Sequence, residues 1–314
     1  MKLRILAALA FFLSGSLLTL LITNRYTISV SPRDMSSAVG NSKNLSPVPT
    51  GGPSSSIDYL KIKKMVLPDE GFRLNVSFED LGPRLLEVGA IDLKKFTDNF
   101  ARDGGLTNVQ KEILTQNTKT PIFIDEKNAT FMVDFFWALG LSNRNRILDE
   151  GPMVKDRSKL GNFASTGGWT LGRKSAVELF SKSEIVKLTD DQQRMVEKIV
   201  ANVYRPCCGN PTSFPDCNHG MAALGLAEYL AAKGFPKDEI YRAILYFNSF
   251  WFPQTYLDLA AYFAAGGTPW PQIIPEAVLG VNYSSGQGYA RIKQELEAKA
   301  GGRPDVTSGQ GCGT

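Results

Sequence analysis

The residues best suited to chemistry in this chain are concentrated in one short segment. The 314 residues include four cysteines and one histidine, and most of these fall within residues 207–219. They are Cys207, Cys208, Cys217 and His219. Thiolate and imidazole together suit Zn(II), Cu(I) and iron–sulfur clusters, and three cysteines with one histidine form a known tetrahedral set. The segment predicts one transition-metal ion or cluster, with zinc as the first choice and Cu(I) or an iron–sulfur cluster as alternatives.

A stiff loop between two helices is expected to position these ligands. The first helix should end near Tyr204, before Pro206, and the second should begin near Asn218, a residue type common at helix N-termini. Adjacent side chains usually point apart, so Cys207 and Cys208 need an unusual turn to meet at one ion. Gly209 is the residue expected to permit that turn.

Other residues around the cluster are weaker candidates. Cys217 would lie at the positive end of a helix dipole, which favours a thiolate. Asp216 is a candidate acceptor that orients the imidazole of His219. The thioether of Met221 would interest Cu(I), although packing in the core is the simpler interpretation. Cys312, in a glycine-rich tail, is a replacement ligand or a partner for another thiol.

The same sulfurs allow two other interpretations. A disulfide between Cys208 and Cys217 would staple the loop in an oxidising compartment, leaving Cys207 and Cys312 unpaired or joined to each other. Alternatively, Cys217 is a redox-active or nucleophilic thiol assisted by His219. Catalytic cysteine and histidine residues normally come from separate parts of a fold, so this interpretation is disfavoured.

The N-terminus predicts a membrane anchor. Residues 5–22 carry no charge, and Lys2 and Arg4 precede them. About twenty apolar residues span a bilayer as a helix, so the run is just long enough. A cleaved signal peptide is the alternative, but no small-x-small cleavage site follows promptly. Either interpretation exports the remaining chain. The favoured anchor predicts a single-pass protein of the cell membrane with its domain on the extracytoplasmic side.

Composition divides the chain into four regions. Residues 1–25 form the predicted anchor, and residues 26–58 form a flexible stalk rich in Ser, Pro and Gly. Residues 59–300 are expected to form one all-α globular domain that contains the Cys/His cluster. Residues 301–314 form a flexible, glycine-rich tail.

The all-α prediction rests on helix start signals and helical periodicity. Residues 220–232 are apolar almost all round, which is typical of a central core helix. Glu228 within that helix is interpreted as a surface charge or a partner of Arg242. Residues 151–174 show no clear period, so they are either a surface loop that packs through Phe163 and Trp169 or a loop that covers a site. The start signals are Ser77–Asp80, Thr107–Gln110, Ser175–Glu178 and Thr189–Gln192, and the periodic segments are 126–141 and 237–252. The one short strand candidate is 121–124.

Charge and motif content narrow the possible functions. The formal net charge is +4, from 35 basic and 31 acidic residues, and no basic block indicates nucleic-acid binding. No carboxylate pair, Ser/His/Asp set or phosphate-binding loop is recognisable, and a single histidine excludes mechanisms that need two. The sequence therefore favours an envelope metal-binding protein that handles metal, transfers electrons or performs metal-assisted chemistry. The rival is an envelope scaffold with a purely structural cluster, and in either case the sequence identifies no protein partner.

Overall fold

The computed structural model describes residues 58–300, with side chains through residue 298. This part is mostly helical, as predicted, and it also contains one two-stranded antiparallel sheet. None of its helices is long and apolar enough to cross a membrane. The predicted anchor, most of the predicted stalk and the tail at 301–314 lie outside the described residues.

Most helices in the first part of the described chain are short, and longer helices in the later part form much of the core. The elements are α1 (Tyr59–Val66), β1 (Phe72–Glu79), α2 (Leu81–Glu87), α3 (Leu93–Asn99), α4 (Asn108–Thr115), β2 (Thr118–Ile124), α5 (Ala129–Ser142), α6 (Arg146–Glu150), α7 (Ala164–Gly167), α8 (Ala176–Leu179), α9 (Asp190–Asn202), α10 (Asn218–Ala232), α11 (Lys237–Trp251), α12 (Pro253–Ala265), α13 (Pro275–Val278), α14 (Val281–Ser284) and α15 (Gly286–Ala300). Three 3-10 helices lie at Ala101–Asp103, Pro152–Asn162 and Trp270–Gln272.

Helices α5 and α10 form the centre of the core and contact each other through their backbones. A Cβ atom on Gly140 would lie 2.1 Å from the carbonyl oxygen of Met221, and one on Gly225 would lie 2.4 Å from that of Phe136. Only glycine allows so close an approach. The contact fixes the position of α10, and its burial confirms the predicted core helix at 220–232.

The capping signals predicted three helix starts correctly and a fourth incorrectly. The side chains of Thr107, Ser175 and Thr189 each form a complete capping box at the start of α4, α8 and α9. Ser77, in contrast, lies within β1, and helix α2 begins only after Asp80, whose side chain makes no capping bond. Of the two residues that have the spacing of a capping box, Ser77 lies in the strand and Asp80 lies between the strand and α2.

One small sheet accompanies the helices of the domain. Strand β2 contains the one predicted strand segment, and β1 pairs with it in antiparallel register, with Phe72 opposite Ile124. In β1 the apolar residues alternate, and Leu74 and Phe78 are buried. This alternation is the period-2 pattern of a half-buried strand.

Glu228 does not reach the surface and does not pair with Arg242, so that interpretation was wrong. Its side chain is completely buried, and its two carboxylate oxygens accept hydrogen bonds from the amides of Asn143 (2.9 Å) and Asn145 (2.7 Å). Burial raises the pKa of Glu228 well above its ordinary value, against the lowering effect of the two amides. The polar network thus stabilises a carboxyl group that the core would otherwise exclude.

The segment 151–174 is ordered by its aromatic residues, as the packing interpretation predicted. It forms mainly a 3-10 helix followed by α7, and Trp169 is buried. Phe163 makes an edge-to-face contact with Phe214, with 5.5 Å between ring centroids. Phe214 belongs to residues 203–217, which connect α9 to α10 and are called the cysteine-bearing loop below. The segment 151–174 therefore packs directly against that loop.

Candidate metal centre

The cysteine-bearing loop connects α9 to α10 and is closed at its base by backbone pairing. At its base, Tyr204 pairs with Pro211 in an antiparallel bridge, and the N–H of Thr212 donates to the carbonyl of Val203 at 2.7 Å. These bonds close the loop and leave residues 205–210 as its tip. Helix α9 ends at Asn202, two residues before the predicted position. Val203 is already in an extended conformation, which leads into the bridge.

A proline turn brings the two adjacent cysteines to the tip. The N–H of Cys208 donates to the carbonyl of Arg205 at 3.4 Å, which closes a turn with Pro206 in its second position. Proline favours this position because its φ angle is already fixed. Gly209 does not adopt a left-handed conformation, so the prediction that it permits the turn was wrong.

The other end of the loop places Cys217 at the start of α10. The helix begins at Asn218, as predicted, but its N-cap is Cys217 rather than Asn218. The sulfur of Cys217 accepts a hydrogen bond from the N–H of Gly220 at 3.4 Å. A thiolate in this position is stabilised by the unsatisfied N–H groups and the positive end of the helix dipole.

The three sulfur atoms converge on one point. Those of Cys207, Cys208 and Cys217 all lie within 4.8 Å of one another, and those of Cys207 and Cys217 are 3.6 Å apart. Two thiolates on one tetrahedral zinc ion are about 3.8 Å apart, given Zn–S bonds of about 2.3 Å. None of the three is in a disulfide, and Cys207 is exposed while the other two are partly buried. The spacing therefore fits three ligands of a single ion.

A buried arginine that the sequence reasoning missed organises the cluster. Arg205 is 1% exposed, and its Nε donates to the sulfur of Cys217 at 2.9 Å. Its Nη2 donates to a carboxylate oxygen of Asp216 at 2.7 Å and to the carbonyl of Phe214 at 3.2 Å. Its Nη1 donates to the carbonyl of Asn210 at 3.2 Å. One guanidinium group therefore joins both ends of the loop to a sulfur of the cluster.

The sequence does contain a signal for Arg205. It is the only Arg or Lys in residues 203–219, directly before Pro-Cys-Cys, and Asp216 supplies the matching negative charge. A single cation among three thiols is a candidate for charge compensation. In the structure, Gly220 leaves room for this cation, since a Cβ atom there would lie 2.4 Å from the guanidinium carbon of Arg205.

The electrostatics of the cluster favour a thiolate at Cys217. Hydrogen bonds from Cys207 and Cys208, with the charge of Arg205, hold the pKa of Cys217 far below its ordinary value. A hydrogen bond with Cys207 lowers the pKa of Cys208, but its bond to Cys217 and its burial outweigh this effect and raise it. Burial lowers the pKa of Arg205, but the negative charge of the neighbouring cysteines and the hydrogen bond to Cys217 raise it by more. Arg205 therefore stays cationic.

Asp216 supports Arg205 rather than the histidine. One of its carboxylate oxygens accepts from Arg205, and the other accepts from the side-chain amide of Asn210 at 2.7 Å. Its backbone carbonyl accepts from the N–H of Ser165 at 3.0 Å, which links the loop to α7. The imidazole nitrogen Nδ1 of His219 lies 2.9 Å from Asn218 instead.

His219 is not part of the converging group. Within residues 58–298, no histidine or carboxylate ligand atom joins the three sulfurs inside the 4.8 Å group. The ring of His219 packs against Phe252, with 4.5 Å between centroids, and against Trp251 at 5.8 Å. The role of His219 as a fourth ligand stays a prediction.

The remaining candidates differ in what the structure shows of them. Met221 is fully buried in the core, in agreement with the packing interpretation. Cys312 lies outside the described residues.

The chain matches no protein-family model, no curated protein and no solved structure. The functional conclusion therefore rests on the geometry and chemistry of the cysteine-bearing loop.

Proposed function

We propose that this protein binds one transition-metal ion through the thiolates of Cys207, Cys208 and Cys217. The observation that carries the proposal is the convergence of three sulfurs within 4.8 Å of one another. They come from two ends of a loop whose base is closed by backbone hydrogen bonds. A loop held in this way brings the ligands together before the ion binds, so little conformational entropy remains to be lost on binding.

The arrangement supports a metal ion better than it supports a stapling disulfide. A disulfide uses two sulfurs and leaves the third without a role, whereas an ion uses all three. The predicted staple would join Cys208 and Cys217, yet the sulfur of Cys207 also lies 3.6 Å from that of Cys217, so the geometry does not single out Cys208 as its partner. The reactive-thiol alternative keeps one favourable observation, the lowered pKa of Cys217.

Charge balance supports zinc as the first choice of metal. A divalent ion with three thiolates carries one net negative charge, and a monovalent ion carries two. Arg205 supplies one buried positive charge in direct contact with the sulfur of Cys217. Zn(II) accepts thiolate ligands and has no geometric preference that opposes this site. Cu(I) and an iron–sulfur cluster remain the alternatives, since both also favour thiolates.

Metal content and single substitutions test the proposal. The full-length chain, purified without added metal, is expected to contain about one equivalent of zinc, because three preorganised thiolates bind it tightly. Serine at Cys207, Cys208 or Cys217 should each weaken binding, with Cys217 the most sensitive because it also caps α10. Competition with a chromophoric chelator measures the affinities.

The Cys312→Ser variant is the matched control, because Cys312 is the one cysteine of the sequence outside the cysteine-bearing loop. Its zinc content should equal that of the unsubstituted chain. The proposal fails if all four serine variants retain the same zinc content, or if no variant and no parent chain binds zinc, Cu(I) or iron.

We also propose that residues 5–22 anchor the protein in the cell membrane, with residues 59–300 on the extracytoplasmic side. The support is the uncharged run of apolar residues behind Lys2 and Arg4. Protease added to intact cells should digest the globular domain. Complete protection of the domain, together with digestion after lysis, would contradict the proposed topology.

A further inference from the structure

The side chains near the three sulfurs that could serve as a fourth metal ligand contact other protein groups. Both carboxylate oxygens of Asp216 accept hydrogen bonds, one from Arg205 and one from Asn210. The ring of His219 packs at a tilt against Phe252, and its Nδ1 lies 2.9 Å from the side-chain oxygen of Asn218. Within residues 58–298, the protein thus brings three metal-ligand atoms to the site and no fourth.

Burial is uneven across the cluster. Arg205 closes one side, where it is 1% exposed and bonded to the sulfur of Cys217. On the other side Cys207 is exposed, and Cys208 is only partly buried. An ion held by the three sulfurs would therefore face the protein on the side of Arg205 and face solvent on the side of Cys207.

We infer that the ion keeps one coordination position open on the side of Cys207, and that this position takes a thiolate from outside the chain. The inference rests on the proposed function, since it concerns the same ion. Structural zinc sites are closed by four protein ligands, whereas working sites keep a position for water or substrate. Three protein ligands with one exposed face match the second kind.

The chemistry of the site selects a soft donor for the open position. An ion already bound by three thiolates prefers another sulfur ligand over an oxygen ligand of similar size. In the exchange, the incoming thiol releases its proton to solvent, its sulfur binds the ion, and the water that held the position leaves. The fourth thiolate brings the net charge of a divalent ion and its ligands to −2; Arg205 balances one of these charges, and the other lies on the exposed side of Cys207, where solvent screens it. No electron is transferred, and no further reactant is needed.

Cobalt(II) provides a spectroscopic probe of this position. The full-length chain loaded with cobalt should show thiolate-to-metal charge-transfer bands and the visible bands of a four-coordinate ion. Added 2-mercaptoethanol is expected to shift the visible bands and to saturate at one thiol per cobalt. Ethylene glycol, which replaces the thiol with a hydroxyl, is the matched control and should leave the bands unchanged.

Two variants separate an open position from a hidden fourth protein ligand. Cys312→Ser and His219→Gln should retain the cobalt bands and the same response to 2-mercaptoethanol. A single-cysteine folded protein, added in place of the small thiol, distinguishes the two sources of a thiolate. A response to both indicates that the face admits a partner protein, and a response to the small thiol alone indicates a small-molecule ligand.

The outcomes distinguish this inference from the proposed function. If charge-transfer bands form but no thiol shifts the visible bands, the site is closed and the inference is overturned, while the metal site stands. The same conclusion follows if either variant loses the four-coordinate spectrum. If no charge-transfer bands form at all, both the metal site and its open position are refuted.

Discussion

Replacing Arg205 with methionine is expected to lower the free energy of unfolding by about 3–5 kcal/mol, the usual cost of breaking a buried ion pair from one side. The substitution leaves Asp216 without its cation and removes the donor to Cys217. It also frees the backbone carbonyls of Asn210 and Phe214 that the guanidinium holds. Urea unfolding of the full-length chain, followed by the helical circular dichroism signal, measures the loss.

Two variants test whether the geometry of Arg205 matters in addition to its charge. Arg205→Lys keeps the charge but loses the planar fork that reaches both Cys217 and Asp216, so it should recover only part of the stability. Arg144→Met removes an exposed ion pair with Glu184 and should cost about 1 kcal/mol or less. Equal stability of the Arg205→Met and Arg144→Met variants would show that Arg205 does not organise the loop.

Gly220→Ala is expected to destabilise the protein even though alanine favours a helix by about 1 kcal/mol over glycine. The added Cβ atom would lie 2.4 Å from the guanidinium carbon of Arg205, so that group has to move. Its movement breaks the hydrogen bonds to Cys217 and Asp216. We expect a net loss of about 1–3 kcal/mol, typical of overpacking, and weaker metal binding.

Gly209→Ala is the matched control from the same loop. No atom lies within 4 Å of the position of its Cβ, and its φ angle is not left-handed. Thermal unfolding and zinc affinity of this variant should equal those of the parent chain. A stabilising effect of Gly220→Ala, as helix propensity alone would give, would mean that Arg205 does not lie against this glycine.

Local patterns in the sequence predicted the helical framework because those patterns act locally. The capping boxes at Thr107, Ser175 and Thr189 satisfy backbone N–H groups within one turn of the chain. The start of α10 beside Cys217 could be predicted for the same reason, and so could its burial, because an apolar helix surface has to be covered. The convergence of the three cysteines also followed from their spacing around a proline-rich loop.

The features that were missed depend on contacts between distant parts of the chain. Ser77 and Asp80 have the spacing of a capping box, but pairing with β2 places Ser77 in a strand. Glu228 looked like a surface charge because its partners, Asn143 and Asn145, lie more than eighty residues earlier.

The cysteine-bearing loop shows the same limit. Short sequence separation placed His219 with the cysteines; its ring packs against Phe252, the residue before α12, and its role as a ligand stays a prediction. Arg205 lies near one end of the loop, and its guanidinium group donates a hydrogen bond to the sulfur of Cys217 at the other end. This contact gives Arg205 its role. The position of the His219 ring depends on side-chain direction, and the role of Arg205 depends on hydrogen bonds across the loop. Sequence spacing encodes neither.

The most direct measurement counts thiols in freshly prepared protein, because one sulfur cannot be in a disulfide and also serve as an ordinary thiolate ligand. The full-length chain is purified anaerobically, denatured with a chelator and without reductant, and alkylated, and mass spectrometry then assigns each modified residue. Metal is removed only at this step, since air could form a crosslink after the metal is lost. We expect Cys207, Cys208 and Cys217 all to be alkylated and about one equivalent of metal to be released. A crosslink between Cys217 and either Cys207 or Cys208 in this sample, with no metal released, would contradict the central claim.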